Sequence, residues 1–503
     1  MKEGNRQPCA PRGAGSFDGC RGPRAVRSLL LPLLLSPALW FAVAASAAEV
    51  VGVGAGVGTE HGPAGRPAVP DPDRALERLR AYLRIDTVNP PGNESRAVAF
   101  LAGILDAEGI AFEVFEAAPG RGSIVARIPG GSEPALLLLN HSDVVPADAS
   151  AWDEPPLSAN ERDGYIYGRG ALDTKGLAML QLEAFITLHR SGRTPDRDVL
   201  FAATADEEAG GYFGAGWLVR HHPELIEGVG LVLNEGGSGR MVGGTPVYGV
   251  EVTQKIPLWI RVTARGTPGH GSSPRVDTAP ERLVRALNRL VEHRFEPRLH
   301  PVVAASMEAT ADLQSGALRP IYRQPGRLVR EPELLRRLQQ DSPGAAALLS
   351  ETCALTRLAA SLKINVIPAT ASAEIDCRLL PDTDPDAFLT QLRTLIGDHE
   401  IQLTRLMGFT AASSPTDSDL FRVLSEVLVA ERAPARVVPV MATGFTDSHF
   451  FRDRGISAYG FSPLLLSASA FSGVHGHNER VDIRAFRAAV QRYHRVLTAL
   501  VID

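Results

Sequence analysis

The stretch Ala135-Leu136-Leu137-Leu138-Leu139-Asn140-His141-Ser142-Asp143 is a short apolar run that ends in a histidine and an aspartate. A run this short, apolar at every position, predicts a strand buried on both faces. Working outward, Val199 to Ala203 and Leu231 to Leu233 repeat the pattern, and Gly176 to Leu188, between the first two, reads as a helix. Buried strands alternating with helices predict an α/β fold, a mixed sheet flanked by helices with at least some strands parallel. Ligands in such sheets gather where the strands finish at their carboxyl ends.

Each of the three runs leads straight into chemistry. The first is followed by His141 and Asp143, the second by Asp206-Glu207-Glu208, and the third by Asn234-Glu235-Gly236. Gly168 to Gly176 places Asp173 in a loop that opens the intervening helix. Taken singly, each motif has an ordinary explanation: an aspartate before a helix is usually a cap, and a glutamate pair usually faces water. Four such motifs converging on the ends of one sheet instead predict a shared site. His141 and Asp143, two apart on an extended segment, point the same way. Glu207 and Glu208 repel each other unless a cation or a proton separates their charges. Two metal ions held close together need a bridging carboxylate, further histidine and carboxylate ligands, and a spare carboxylate as base.

His141-x-Asp143, Gly170-Ala171-Leu172-Asp173-Thr174-Lys175-Gly176, Asp206-Glu207-Glu208 and Glu235-Gly236, in this order and spacing, resemble the metal motifs of a di-zinc hydrolase family. That family includes aminoacylase, succinyl-diaminopimelate desuccinylase, glutamate carboxypeptidase and yeast carboxypeptidase S, and the likeness runs from about residue 73 to the end. The resemblance implies a two-zinc site in which Co2+ or Mn2+ can substitute. It implies His141 and Glu235 on one zinc, Asp173 bridging, and Glu208 with a late histidine on the other. Val474-His475-Gly476-His477-Asn478-Glu479 supplies that histidine: His475 is in register with the family's last ligand, and His477 is its rival. Asp143 would orient the metal-site chemistry and Glu207 would be the general base. Gly269-His270-Gly271 resembles the family's histidine that reaches the scissile carbonyl, in dimeric members from the neighbouring subunit. Asn365, Arg378 and the loop from Gly444 to Asp447 resemble its substrate-binding residues. A planar guanidinium matches a carboxylate bidentately, so Arg378 suits a substrate with a free carboxylate.

The implied activity is hydrolysis of an amide beside a carboxylate, in a small peptide or an N-acyl amino acid. Two other readings compete. A two-zinc aminopeptidase shares much of the ligand set but reads a free amine, and the Asn365/Arg378 pair counts against it. An exported zinc- or peptide-binding protein without catalysis would not need Glu207.

The rest of the 503-residue chain frames this site. A net charge of −5 gives no footing for nucleic acid or an anionic membrane as partner. Arg21, Arg24 and Arg27 precede an apolar run from Leu29 to Ala45 and then small residues, the order of a secretory signal cleaved near Ala47. That run contains two prolines and is short for a membrane span, so no stable span is expected after processing. Of four cysteines, Cys9 and Cys20 fall in this segment. Cys353 and Cys377 remain, enough for one bridge but not for a thiolate metal cage. The Gly-, Val-, Ala- and Pro-rich stretch 48–72 reads as a flexible tether, and Asp73 as the cap of the first helix. Residues 73–255 and 411–503 read as two parts of a catalytic domain. Residues 256–410 read as an interrupting α+β lid through which a homodimer would form, with 295–350 an irregular, Arg- and Pro-rich insertion or surface helix pair.

Overall fold

A computed structural model describes residues 68–316 and 318–502, so the segment read as an export signal and most of the tether lie outside the described residues. Strands Arg197–Thr204, Glu133–His141, Val229–Asn234 and Ser457–Gly460 pair in that order, all parallel. They form the middle of a ten-stranded sheet that continues through antiparallel Gly122–Ile128 and Phe112–Glu116 on one side. On the other side stand Thr245–Gln254, Gly239–Val242 and Leu465–Leu466, with Arg436–Ala442 parallel to Thr245–Gln254. The fold is the mixed α/β sheet the alternating runs predict.

The central strands sort their side chains with period two, as a sheet covered on both faces must. Leu136, Leu138, Val199, Phe201 and Ala203 face one core, beneath helices Pro72–Leu83, Lys175–Arg190 and Ile483–Val501. Leu137, Leu139, Leu200 and Ala202 face the other, beneath helix Ala215–His221. The first helix starts one residue after Asp71, whose carboxylate accepts from the backbone N–H groups of Asp73 and Arg74, with Pro72 in the first turn. The cap is therefore Asp71 and not Asp73: proline's fixed φ and missing N–H suit the first helical position, which puts the cap just before it. The Asp71 N–H also bonds to Glu183 Oε1 at 2.9 Å, so the tether ends before this point.

A second, four-stranded sheet has the order Thr352–Ala359, Thr370–Leu379, Ile256–Arg265, Gln402–Gly408. Its inner face (Leu258, Ile260, Val262, Ala373, Ile375, Cys377) packs under helices Ala279–Glu292 and Pro385–Ile396. Its other face carries Trp259, Asp376 and Arg378. Cys353 and Cys377 are cross-strand partners and form a disulfide, with 4.0 Å between their Cα atoms.

The stretch 256–410 buries its apolar residues into two different cores. Short helices Pro301–Ala309, Leu318–Arg323, Arg327–Arg330, Pro332–Asp341 and Pro343–Ala347 fill much of 295–350. Their Val302, Val303 and Leu328, with Leu349 just beyond, bury into the core of the large sheet and not that of the second one. The physical reason is amphipathic: their apolar residues need a partner surface, and the second sheet's core face is already filled by its own two helices. No helix among the described residues is long and apolar enough to cross a membrane.

Candidate metal centre

His141 is the last residue of strand Glu133–His141. Its Nδ1 lies 3.0 Å from the backbone oxygen of Asp143, so Nδ1 donates there and Nε2 points into the cleft. There it meets Asp173 Oδ1 at 3.2 Å and Glu235 Oε1 at 3.4 Å. Glu235 follows directly on strand Val229–Asn234. The other oxygen of Asp173, Oδ2, lies 3.0 Å from His475 Nε2, which is also 3.0 Å from Glu208 Oε2. Asp173 thus gives one oxygen to each of two histidine–carboxylate sets. The histidine that reaches them is His475, held at a left-handed φ of 56°.

Proximity alone would also group His141 with Asp173 and Glu208, and with Glu207 and Glu235, all within 4.8 Å. The closest approaches are the better guide. Ligand atoms around a tetrahedral zinc with bonds of about 2.1 Å stand roughly 3.4 Å apart. The approaches of His141 to Asp173 (3.2 Å) and Glu235 (3.4 Å), and of His475 to Asp173 and Glu208 (3.0 Å each), fit that spacing. Glu207 Oε2, at 3.9 Å from His141 Nε2, stands outside it. The donor set (two imidazoles and three carboxylates) is chemistry that zinc, cobalt or manganese accepts.

The electrostatics agree with a site made for cations. Burial pushes the pKa of Glu207 well above the ordinary carboxylate range, and the charge of Glu235 adds to it. Burial and Asp173 bring Glu208 to about 7. Burial opposes charge on His141, yet Glu235, Asp143 and Asp173 outweigh it and hold its pKa well up. Hydrogen bonds to Asp173 and Glu208 raise His475 to about 10. Protons here do the work that cations would do: they keep like charges apart.

The surrounding residues fix this arrangement. Asp143, fully buried, accepts from the backbone N–H groups of Glu207 (3.1 Å) and Glu208 (3.2 Å) and from Asn89 Nδ2 (2.8 Å). Asp206 sits at a left-handed φ of 69°, so the chain turns sharply between its strand and the glutamate pair. Arg121 holds that turn from behind: Nη2 bonds Asp206 Oδ1 and lies 3.1 Å from Glu94, and Nη1 bonds Asn89 Oδ1 at 3.2 Å and the Pro91 carbonyl at 2.7 Å. Gly92 leaves room for it, because a Cβ there would lie 2.3 Å from Arg121 Nη1. Glu479, fully buried, accepts from Arg169 Nη1 and from the N–H groups of Gly170, Leu172 and Asp173, and so ties down the loop that carries Asp173. Asp447 accepts from Thr204 at 3.1 Å, and burial raises its pKa to about 8. Sequence reading assigned no role to Arg121, Asn89, Glu94 or Glu479. Only Glu479, inside the Val474–Glu479 motif, left any trace there.

The remaining residues lie on or near the second sheet. His270 is exposed, pairs with Val366 across a separate two-strand ladder, and among the described residues its side chain bonds Ser272. Asn365 is exposed beside it, its carbonyl accepting from the Gly271 N–H. Neither touches the carboxylate cluster. Arg378 lies near the end of strand Thr370–Leu379, opposite Pro257, paired through Nε (2.7 Å) and Nη2 (3.1 Å) with Asp376. Its guanidinium stands 5.4 Å from the ring centre of Phe445, in the loop Gly444–Asp447. Gly444 is open, with nothing within 4 Å of a Cβ placed on it. Thr446 in the same loop bonds Gln254, the last residue of strand Thr245–Gln254 in the large sheet, and stands close to Gly236, beside Glu235.

Comparison with known proteins matches residues 137–499 to peptidase family M20/M25/M40. Aminoacylase-1 of Sus scrofa is 30% identical, over 84% of this chain and 94% of its own length. The N-fatty-acyl-amino acid synthase/hydrolase PM20D1 of Mus musculus is 31% identical, over 82% and 85%. Among solved structures, the M20 family metallo-carboxypeptidase Sso-CP2 of Sulfolobus solfataricus superposes with a TM-score of 0.67 at 20% identity, covering 84% of this chain and 98% of that one. Human carnosine dipeptidase 1 superposes at 0.62 and 16% identity, covering 85% and 97%.

Proposed function

The chain belongs to peptidase family M20/M25/M40, and from that premise we propose that it hydrolyses an amide bond next to a free carboxylate, in small peptides or N-acyl amino acids. The observation that carries this reading is the division of Asp173 between two histidine–carboxylate sets, with Glu207 beside them but outside ligand spacing. His141, Asp173 and Glu235 would hold one zinc, and Asp173, Glu208 and His475 the other. When bound, the ions supply Lewis-acid polarisation of the scissile carbonyl and of a water.

The protein's own groups do the rest. Glu207 takes the water's proton and later returns it to the leaving amine, a role suited to a carboxylate whose pKa burial holds above the ordinary range. Asp143 keeps Glu207 in place through its backbone and stands 3.4 Å from His141 Nδ1. Arg378 receives the substrate carboxylate, with the Gly444 loop along the same side of the cleft. His270 donates to the developing oxyanion, with Asn365 next to it. Both are exposed at the two-strand ladder of Gly269–His270 with Val366–Ile367, so they act after that ladder closes on the cluster or from the ladder of a second copy. Exposed Leu358, Leu362 and Ile364, in the stretch leading into it, support a homodimer through this region.

The names of the aminoacylase-1 and PM20D1 relatives favour N-acyl amino acids among the candidate substrates. Hydrolysis of N-blocked and C-blocked dipeptides by the zinc-loaded protein tests the reading. Cleavage of the N-blocked member alone supports it, and cleavage of the C-blocked member alone supports an aminopeptidase. Metal binding with no hydrolysis across a broad panel supports a binding protein. The basic-apolar-small order from Arg21 to Ala48 supports export to the periplasm or medium. N-terminal sequencing of the exported product, expected to begin near Ala48, tests that.

A further inference from the structure

Trp259, beside Arg378 on the outer face of the second sheet, has no part in the reaction as described. Trp259 is the cross-strand partner of Asp376, and Arg378 that of Pro257. Trp259 and Arg378 are therefore diagonal neighbours on one face, a spacing that long side chains span. Asp376 occupies Nε and Nη2 of Arg378, and Nη1 is left buried with no acceptor among the described residues. The indole Nε1 of Trp259 is buried without an acceptor as well. Both residues flank one ring: Arg378 stands 5.4 Å and Trp259 6.5 Å from the centre of Phe445. Guanidinium and indole nitrogens only donate, and a buried donor without an acceptor is costly to a folded protein.

Two unsatisfied donors beside a single ring are the chemistry that the two oxygens of a carboxylate would satisfy. We propose that Trp259 Nε1 is the second donor of the substrate-carboxylate site, acting beside Arg378 Nη1, with Asp376 holding the guanidinium so that Nη1 is presented. This rests on the carboxylate reading of Arg378. It makes Trp259 a specificity-determining residue: it separates a free carboxylate from an amide and has no part in the bond cleavage.

The test is Trp259→Phe, which keeps an aromatic ring and removes the N–H. It is assayed on the best-cleaved N-acyl amino acid and on that compound's C-terminal amide. KM for the free acid rises about tenfold with kcat unchanged, the loss of one hydrogen bond to a charged group. The rate on the amide does not move. An unchanged KM for the acid, or an equal change on acid and amide, overturns the proposal. Arg378→Gln is run in parallel. If that variant still prefers acid over amide as the wild type does, the carboxylate reading of Arg378 itself fails. If it loses the preference while Trp259→Phe behaves as wild type, only the role of Trp259 is lost. Should Trp259→Phe not fold, 15N-tryptophan labelling of the intact chain decides. One indole N–H resonance shifts on adding the amino-acid product and not its amide, and no such shift overturns the proposal.

Discussion

Asp173 Oδ2 lies 3.0 Å from His475 Nε2, although the two residues are far apart in the sequence. Because the other Asp173 oxygen faces His141, this contact is what makes one carboxylate common to two sets of ligands. His475 reaches it from an exposed turn, whereas His141 is fully buried. The second metal position is therefore the more open of the two.

That difference gives a prediction for metal content. His475→Ala lowers bound zinc from two to one per chain, and His477→Ala leaves two. Elemental analysis of dialysed protein measures it. Equal loss in both variants would mean that the register of the late histidine is misread.

Glu207 stands at the cluster without matching the ligand spacing. Glu207→Gln keeps the size of the side chain and removes the base. Its kcat falls by about 10²–10⁴, and zinc content stays at the wild-type level. A fall in activity that tracks a fall in zinc would make Glu207 a ligand.

Zinc binding is coupled to protons. In the metal-free protein Glu208 has a pKa of about 7 and His475 of about 10, while both must be deprotonated as ligands. His475 therefore releases its proton on binding throughout the neutral range, and Glu208 does so at and below about pH 7. Affinity rises with pH up to about 10 and falls more steeply once pH drops below 7. Calorimetric titration in buffers of different ionisation enthalpy counts the protons released. Zinc affinity independent of pH between 6 and 8 would contradict this arrangement.

Arg121 compensates two buried carboxylates at once, Glu94 and Asp206. Arg121→Met leaves both without a partner and costs about 3–5 kcal/mol of stability, read by thermal or denaturant unfolding. Arg121→Lys, which keeps the charge but not the fork, loses less. Glu94, raised by burial to a pKa of about 7, then takes up a proton more readily, so the Met variant is relatively more stable at low pH than at high pH. An Arg121→Met protein as stable as the wild type would remove Arg121 from any positioning role.

Sequence made the central sheet and the cluster readable for a local reason. Each buried strand is a compact apolar run, and each ligand-bearing residue follows its run within a few positions, so the element and its chemistry are read together. His141, Glu208 and Glu235 are all of this kind. What was not readable depends on contacts between distant segments. Arg121 reaches Asp206 and Glu94 by packing, and Trp259 meets Arg378 by strand register, which no local pattern encodes. The short helices around Pro332–Asp341 carry an ordinary amphipathic pattern that does not say which of two cores receives it. Asp71 and Asp73 look equally good as caps until Pro72 fixes where the helix begins.

The central claim is an amide hydrolase that reads a free carboxylate. The most direct measurement compares hydrolysis of an N-acyl amino acid with that of its C-terminal amide by the zinc-loaded protein. A kcat/KM at least about tenfold higher on the free acid is predicted, the worth of one charge-assisted hydrogen bond. Equal rates on the two, or cleavage that requires a free amine, would contradict the account.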